Sequence, residues 1–307
     1  MKKTVALVIL ALVATVAASF ASPAHSITGP NAVVSDRDNV VLVTFYDEEG
    51  VYLWRCSGTL IAPTIVLTAG HCTYGAAEAK IWADVGPYVE TAVEDGGYPL
   101  SPVEDRPPCE GFEGWPCEGE DATGEPITYP GFGFPGIVPP EDASFPNTGD
   151  VGLVILDTAI TPDTGFASLA EAGALDVFAT RRGRQDVTFT VVGYGLQRTR
   201  PTGDVAERIR LEATTQLVNL KSSLNAGFNL QTSANPGGGR GGTCFGDSGG
   251  PVFYGDSNVI VAITSFGLSP TCTGVDYAFR IDQADVLAWI LDVAEEEGET
   301  ITVVPLP

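Results

Sequence analysis

Histidine is nearly absent from this 307-residue sequence, which contains only His25 and His71. Basic side chains are also scarce, since 16 Lys and Arg stand against 39 Asp and Glu, and the formal net charge is -23. A surface of that sign repels phosphate backbones, so nucleic acid is not expected as a partner. The shortage of imidazole groups also argues against a histidine-based metal site.

Long apolar runs are missing from the chain after its N-terminus. There, two lysines precede an apolar run from Val5 to Ala18, and a short polar stretch ends in Ala-His-Ser at 24–26. This is the layout of a secretory signal peptide, and the run is shorter than the ~20 residues of a membrane-spanning helix. We predict that residues 1–26 are a signal peptide and that residues 27–307 are secreted, to the extracellular space or the periplasm, without membrane contact.

The six cysteines all follow this signal, and their number is even. In an exported chain this pattern favours up to three disulfides over free buried thiols. No pair has the two-residue spacing of a zinc knuckle, and one histidine remains after signal removal, so we expect no metal and no cofactor.

Runs rich in β-branched residues recur between clusters of Gly, Pro, Asn and Asp. This spacing predicts an all-β sandwich or barrel. The predicted strands are Val40 to Tyr46, Thr59 to Leu67, Val151 to Leu156, Val187 to Val192 and Val259 to Phe266.

Near the C-terminus the apolar pattern changes from a strand period to a helical period. The pattern predicts one amphipathic helix over about 283–294, with Asp282 as a candidate N-cap. The apolar positions at helical spacing are Val286, Leu287, Trp289, Ile290 and Val293.

The segment from Gly86 to Asn147 is dense in Pro, Gly, Asp and Glu and poor in β-branched residues. This composition predicts a long surface excursion without a core of its own. Cys109 and Cys117 lie inside it, and we expect them to form a local disulfide. Its acidic residues match no recognised calcium loop, so a solvated acidic surface is favoured over a metal site.

Three motifs carry candidate chemistry. His71 lies in Leu-Thr-Ala-Gly-His-Cys, Asp150 in Gly-Asp-Val-Gly-Leu-Val, and Ser248 in Gly-Asp-Ser-Gly-Gly-Pro. A serine hydroxyl at its ordinary pKa is a weak nucleophile, so it needs a base that takes its proton and later returns it. Imidazole suits this role near neutral pH.

His71 is the only imidazole left once the signal peptide is removed, which makes it the candidate general base. Asp150 stands just before an apolar strand and ahead of Ser248 in the chain. This position favours Asp150 over Asp142 and Asp157 as the carboxylate that orients the ring. Ser248 is then the candidate nucleophile.

The order His, Asp, Ser and the three motifs resemble the trypsin and chymotrypsin family over nearly the whole mature chain. Val-Gly-Tyr-Gly at 192–195 is similar to the family's Gly-aromatic-Gly segment, and Ser-Phe-Gly at 265–267 resembles the strand that pairs with the substrate backbone. The same order argues against an α/β-hydrolase esterase. The resemblance implies two six-stranded antiparallel β-barrels, over about 27–160 and about 175–281, followed by the C-terminal helix.

Further roles follow from the resemblance. The glycines around Ser248 permit a sharp turn, and the backbone N–H groups of Gly246 and Ser248 would form the oxyanion hole. The implied disulfides are Cys56–Cys72, Cys244–Cys272 and, by remainder, Cys109–Cys117.

Activation in the resembled family uses a new N-terminal Ile or Val amine, which pairs with the Asp before the nucleophile and orders the oxyanion hole. Here the two residues would be Ile27 and Asp247. Ala24 and Ser26 meet the small-residue preference of signal peptidase, so cleavage after Ser26 would release Ile27 directly. Cleavage further upstream, for instance after Ala21, would instead leave a short propeptide.

The expected specificity pocket has Gly242 at the position where trypsins carry an aspartate that attracts Arg or Lys. The run from Cys272 to Ile281 aligns with the family in two ways, which put either Gly274 or Asp276 on the pocket wall. We expect an apolar pocket, whereas an inward Asp276 carboxylate would restore a preference for Arg or Lys. The other expected substrate-binding residues are Thr243, Phe245, Ser265, Phe266 and Gly267.

Together these residues predict a secreted serine endopeptidase that hydrolyses proteins or peptides through an acyl-enzyme. The alternative is an inactive family member that serves as a binding or adhesion module. Such proteins usually lack a triad residue or an oxyanion glycine, and this chain lacks neither. We expect the protein to be a monomer.

Overall fold

The computed structural model describes residues 27–83, 119–179, 186–196, 209–235 and 238–307. The predicted signal peptide and the expected Cys109–Cys117 disulfide lie outside the described residues. No helix in the described ranges is both long and apolar enough to cross a membrane.

The N-terminal part of the fold is a closed barrel of six antiparallel strands. A two-residue strand, β1 (Val33–Val34), precedes them, and the barrel strands are β2 (Val40–Tyr46), β3 (Tyr52–Ala62), β4 (Ile65–Thr68), β5 (Glu78–Trp82), β6 (Ala122–Thr128) and β7 (Gly152–Leu156). Around the barrel their order is β2-β3-β4-β7-β6-β5. All seven residues of β2 are buried, which explains why its sequence is apolar without alternation.

Six strands of the C-terminal part close into a second antiparallel barrel. After β8 (Ser168–Ala170), these are β9 (Thr188–Gly193), β10 (Leu211–Asn219), β11 (Asn229–Ala234), β12 (Pro251–Tyr254), β13 (Val259–Gly267) and β14 (Gly274–Arg280). Their order is β12-β9-β10-β11-β14-β13, and β13 pairs back with β12 to close the ring. The two six-stranded barrels implied by the resemblance are confirmed.

Short strands extend the second barrel at two places. β8 pairs in parallel with β13, and β15 (Val303–Val304) pairs in parallel with β8. β1 pairs with β10, so the first residues of the chain after Ile27 lie against the second barrel.

Four of the predicted strands match single strands of the structure. The predicted run Thr59 to Leu67 instead forms parts of two strands, because Pro63 and Thr64 make the turn between β3 and β4. Ala62 pairs with Ile65 across this turn.

β6 lies inside the segment expected to be a surface excursion, and the structure corrects that expectation for these residues. A side-chain carbon at Gly124 would lie 2.4 Å from the Ile155 carbonyl oxygen, so β6 can pack against β7 only because residue 124 has no side chain. The run Gly-Glu-Pro at 124–126, in the middle of β6, has low intrinsic β-propensity. Its composition therefore resembles that of a loop.

Two helices are relevant to the site and to the core. α1 (Gly70–Thr73) is a single turn directly after β4, and α2 (Ala284–Glu296) is the predicted C-terminal helix. Gln283, not Asp282, occupies the N-cap position of α2.

Asp282 has a different task from the one expected. Its buried carboxylate accepts the Leu175 N–H at 2.8 Å and forms an ion pair with Arg280, with 2.7 Å between Nη2 and Oδ2. Pairing inside the protein competes with capping, because one carboxylate cannot face both the core and the helix end.

One apolar cluster runs through both barrels. It contains most of the first barrel's inner side chains together with Tyr194, Phe253, Ile260 and Phe279 of the second barrel. The buried face of α2 joins the same cluster. Because the barrels share a core, the segments at their junction are held at a fixed separation.

Candidate active site

His71 and Asp150 are brought together by two paired strands of the first barrel. Thr68 of β4 lies opposite Gly152 of β7, so the residues just after β4 and just before β7 meet. The His71 backbone N–H in α1 donates to Asp150 Oδ1 at 2.8 Å, and His71 Nδ1 lies 2.9 Å from Asp150 Oδ2. The ring is therefore held through Nδ1, which leaves Nε2 for another partner.

The Asp150 carboxylate is fully buried. Its Oδ2 atom also accepts a short hydrogen bond from the Ser265 hydroxyl of β13. Burial alone would raise the pKa of Asp150, but the charge of His71 and the hydrogen bonds from His71 and Ser265 outweigh burial and hold that pKa below its usual value. Asp150 is consequently an anion at neutral pH.

The Asp150 anion in turn shifts the pKa of the His71 imidazole. Burial disfavours the charged ring, yet the Asp150 carboxylate outweighs burial and raises the pKa of His71 above its ordinary value. The ring is thus protonated over a wider range of acid conditions than a free histidine.

Two of the expected disulfides are confirmed, Cys56–Cys72 and Cys244–Cys272. The first ties β3 to α1 beside His71. The Cys56 and Cys72 sulfur atoms and a His71 ring nitrogen lie within 4.8 Å of one another. Metal binding requires thiolates, and both sulfurs are already bonded to each other, so this cluster does not make a metal site.

Ser248 lies in the turn before β12, at the junction of the barrels. Its carbonyl accepts the Ser57 N–H of β3 at 2.8 Å. A side-chain carbon at Gly249 would lie 2.1 Å from Thr68 Oγ1, so only glycine permits this approach to the strand that leads to His71. Within the described residues the His71 ring forms its hydrogen bonds with Asp150. In catalytic sites, the hydrogen bond between a histidine ring and the serine hydroxyl often tightens only when substrate binds.

The turn around Ser248 leaves two backbone donors unused. The N–H groups of Asp247, Gly249 and Gly250 all bond to carbonyl oxygens, at 2.8 to 3.0 Å. In the part of the chain that the structure describes, the N–H groups of Gly246 and Ser248 have no such acceptor. Two free donors in a turn that otherwise satisfies its backbone are suited to an anionic oxygen.

Ser57 bonds to both of these donor residues through their carbonyl groups. It is fully buried in β3. Its N–H reaches Ser248, and its hydroxyl donates to the Gly246 carbonyl oxygen at 3.0 Å. The hydroxyl oxygen also accepts the Tyr194 N–H at 3.0 Å. No motif marks this serine in the sequence.

The Asp247 side chain is directed into the protein. It is fully buried and accepts the Gly195 N–H at 2.7 Å and the Cys244 N–H at 2.8 Å. Burial raises the pKa of Asp247 to about 7, because these bonds and the charge of Arg55 offset only part of the desolvation.

Ile27 is also buried, and the residue after it is fixed to the segment that precedes the nucleophile. Thr28 and Gly242 exchange two backbone hydrogen bonds of 2.8 Å. The Thr28 hydroxyl donates to the Cys272 carbonyl oxygen at 3.0 Å.

A carboxylate adjoins the expected pocket. Asp276 pairs with Gly267 across β13 and β14. A side-chain carbon at Gly242 would lie 2.6 Å from Asp276 Oδ2, whereas one at Gly274 would meet nothing within 4 Å. The Thr243 N–H donates to Oδ2 at 2.7 Å, and burial raises the pKa of Asp276 to about 6. The Asp276 carboxyl therefore lies beside Gly242.

The other expected substrate-binding residues differ in their surroundings. Phe245 is 52% exposed and Phe266 is half-buried, while the Ser265 hydroxyl is engaged with Asp150. Sequence reasoning missed Phe134, whose ring centroid lies 6.0 Å from that of His71 and 5.9 Å from that of Phe266. It follows β6 in the segment that was expected to be a surface excursion, where no motif marks it.

Comparisons with known proteins identify the relatives of this chain. A family model described as Trypsin matches residues 33–97 and 132–290. Among solved structures, HL collagenase is similar with a TM-score of 0.57 and 15% identity, over 88% of this chain and 98% of that chain. A Glu endopeptidase in complex with MPD has a TM-score of 0.52 and 18% identity, over 88% and 99% of the two chains.

Human heparin binding protein is a further similar structure, with a TM-score of 0.52 and 18% identity over 87% of this chain and 96% of that chain. Identities this low establish a shared fold and nothing finer. No curated protein sequence matches the chain.

The contact between His71 and Asp150 predicts a measurable titration. In NMR spectra of a His25→Gln chain, the remaining imidazole should titrate with a pKa above the ordinary value of 6.5, because the buried anion stabilises its charged form. Asp150→Asn should lower that pKa, whereas Asp142→Asn at an exposed position should leave it unchanged. An imidazole pKa that Asp150→Asn does not move would contradict the assignment.

Proposed function

The chain belongs to the Trypsin family, and on that basis we propose that it is a serine endopeptidase with His71, Asp150 and Ser248 as its catalytic triad. The observation that carries the proposal is the 2.9 Å contact between His71 Nδ1 and the buried Asp150 carboxylate. This contact favours the tautomer protonated at Nδ1 and leaves Nε2 as the base. No other imidazole is present in residues 27–307.

In the proposed acylation step, the Ser248 hydroxyl oxygen bonds to the substrate carbonyl carbon while its proton passes to His71 Nε2. The carbonyl electron pair moves onto the oxygen, and the N–H groups of Gly246 and Ser248 stabilise the oxyanion. As the carbonyl re-forms, the C–N bond breaks and His71 returns the proton to the leaving amine. Water then attacks the ester by the same route, which releases the acid and restores Ser248.

Asp150 remains ionised in this mechanism and stabilises the imidazolium that forms at His71. Its bond from Ser265 helps to keep the carboxylate aligned with the ring. Because the pKa of His71 is raised, kcat/KM should fall as the pH drops through that pKa and the base becomes protonated.

Ser248→Ala should abolish hydrolysis, since no other group supplies the attacking oxygen. We expect casein and peptide cleavage to fall by at least ~10³-fold. A fluorophosphonate probe should label wild-type protein at Ser248, as located by mass spectrometry, and should not label the variant. Ser144→Ala, at an exposed serine before Asp150, should be labelled and should cleave like the wild type.

The same experiment tests the alternative function, an inactive binding or adhesion module. A wild-type chain that unfolds cooperatively but is neither labelled nor active would favour the module. The fold alone does not decide, since one similar structure is named for heparin binding.

We further infer that the pocket prefers Arg or Lys at the residue before the scissile bond. The inference is supported by the Asp276 carboxyl, whose two oxygen atoms adjoin Gly242 and Gly267, both expected substrate-binding residues. A buried carboxylate has lost its water, so a cationic side chain that pairs with it gains more than an apolar one.

This preference should depend on pH. Above about pH 6 Asp276 is charged and should favour Arg over Phe substrates in kcat/KM, by roughly tenfold or more. Below that pH the carboxyl is protonated, and the Arg-to-Phe ratio should decline; the ratio cancels the loss of activity from His71, which both substrates share. Asp276→Asn should make the ratio low at every pH. Asp256→Asn removes one exposed charge and should leave the pH profile unchanged.

An Arg-to-Phe ratio that stays constant with pH in the wild type, or that survives Asp276→Asn, would exclude this role for Asp276. The pocket would then be apolar in effect, as the sequence suggested.

We also propose that the protein is secreted and that signal removal after Ser26 activates it. Both disulfides suit an oxidising compartment. The burial of Ile27 and the bonds of Thr28 support insertion of a new Ile27 amine near Asp247. A buried carboxyl with a pKa of about 7 is poorly compensated, and an ammonium group would stabilise its charge.

N-terminal sequencing of the secreted protein should therefore begin at Ile27, and this form should be active. The uncleaved chain should be less active, by about tenfold or more if the amine orders the oxyanion hole. Asp247→Asn should remove the difference between the two forms. A fully active form that begins before Ile27, for instance at Ser22, would contradict the proposal.

A further inference from the structure

Ser57 is the one residue of the first barrel that hydrogen-bonds, within the described residues, to both oxyanion-hole residues. Its N–H donates to the Ser248 carbonyl at 2.8 Å, and its hydroxyl donates to the Gly246 carbonyl at 3.0 Å. Both bonds go to carbonyl groups, so the N–H groups of Gly246 and Ser248 remain free for substrate.

The direction of the hydroxyl bond is determined by its two partners. The Tyr194 N–H can only donate, and it lies 3.0 Å from Ser57 Oγ. The Gly246 carbonyl can only accept, so the Ser57 proton must point toward it. The hydroxyl is thus a directed bridge between the Gly-Tyr-Gly segment and the oxyanion turn.

Hydrogen bonds matter at Gly246 because glycine itself restricts the backbone angles less than any other residue. The φ of Gly246 is +95°, a conformation that glycine adopts easily and leaves as easily. Asp247 is already fixed by its carboxylate bonds to Gly195 and Cys244. The Ser57 hydroxyl supplies the corresponding restraint one residue earlier.

The location of Ser57 also connects the two halves of the site. It follows Cys56, whose disulfide holds Cys72 and therefore the helix turn that carries His71. Its own carbonyl accepts the Thr68 hydroxyl at 2.9 Å, at the end of the strand before that turn. One short stretch of β3 thereby contacts both the elements that hold the base and the turn that forms the oxyanion hole.

We propose that Ser57 is a positioning residue for the oxyanion hole: its hydroxyl holds the Gly246 carbonyl, which limits rotation about the Gly246 Cα and so helps to keep the Gly246 N–H on the other side of that atom directed at the reacting oxygen. This inference rests on the proposed peptidase function. The hydroxyl touches neither substrate nor the reacting atoms, so its effect passes through Gly246.

The test compares inhibitors that do and do not place charge in the oxyanion hole. Peptide aldehydes ending in arginine or phenylalanine add to Ser248 and develop an oxyanion, whereas the matched peptide alcohols bind without one. Ser57→Ala should weaken the aldehyde by roughly tenfold, less than the ~10²–10³ expected when a donor itself is lost. Binding of the alcohol should stay unchanged, and kcat should fall by the same factor with little change in KM.

Thr59→Val is the matched control. Thr59 is buried on the same strand two residues away, and its hydroxyl has no partner in the described residues. It should leave both inhibitor constants at wild-type values. Ser57→Thr keeps the hydroxyl and should restore the aldehyde-to-alcohol ratio. If Ser57→Ala does not fold, Ser57→Gly also removes the bridge and carries the same expectation.

The outcomes separate the two proposals. A Ser57→Ala chain that melts at a lower temperature but keeps the wild-type aldehyde-to-alcohol ratio and kcat would show a structural role only and overturn this inference. A wild-type chain that neither reacts with a fluorophosphonate nor cleaves peptides would overturn the peptidase function, and this inference with it.

Discussion

The close approach of the two barrels at Gly249 is the constraint on which the site depends. A side-chain carbon there would lie 2.6 Å from the Ser57 carbonyl oxygen as well as against Thr68. Because nothing larger than glycine fits, the turn with the nucleophile rests directly on the strands that lead to the base. Even one methyl group added at Gly249 would push the turn away from these strands and move Ser248 away from His71, although no catalytic atom had changed.

Three buried aspartates around this junction have the same side chain but different electrostatic states. Asp150 faces His71, and that partner lowers the pKa of Asp150 despite burial. Asp247 and Asp276 accept mainly backbone N–H bonds, which compensate less than a charge, and burial raises their pKa values to about 7 and about 6. The local partner, more than the depth of burial, therefore decides the pH at which each carboxyl becomes charged.

Much of this arrangement could be predicted from the sequence where local pattern and final environment agree. β2 matches its predicted limits because it is apolar and buried throughout. β6 was missed because the run Gly-Glu-Pro in its middle is typical of a loop, and only its pairing with β5 and β7 defines it as a strand. Asp282 looks like a helix cap in sequence, yet it pairs with Arg280, a partner that a helix-end pattern does not reveal.

Some residues of the candidate site could likewise be predicted from local sequence, and others could not. The motifs around His71, Asp150 and Ser248 are local in sequence, so they could be read without a structure. That the Asp276 carboxyl lies beside the expected pocket depends on strand register, which is seen in the pairing of Gly267 with Asp276. Ser57 belongs to no motif, and the partners of its hydroxyl lie 137 and 189 residues away along the chain.

The two carboxyls with raised pKa values also let the folded chain bind more protons than the unfolded chain. Asp276, and Asp247 as long as no Ile27 amine pairs with it, hold their protons well above the ordinary aspartate pKa of 3.8, so folding takes up protons that the unfolded chain would release. Their contribution to the free energy of unfolding is complete in acid and is lost as the pH rises through about 6 and about 7. As far as these two groups decide it, the fold is most stable below the ordinary aspartate pKa of 3.8, on the acid side of the range in which His71 can serve as a base.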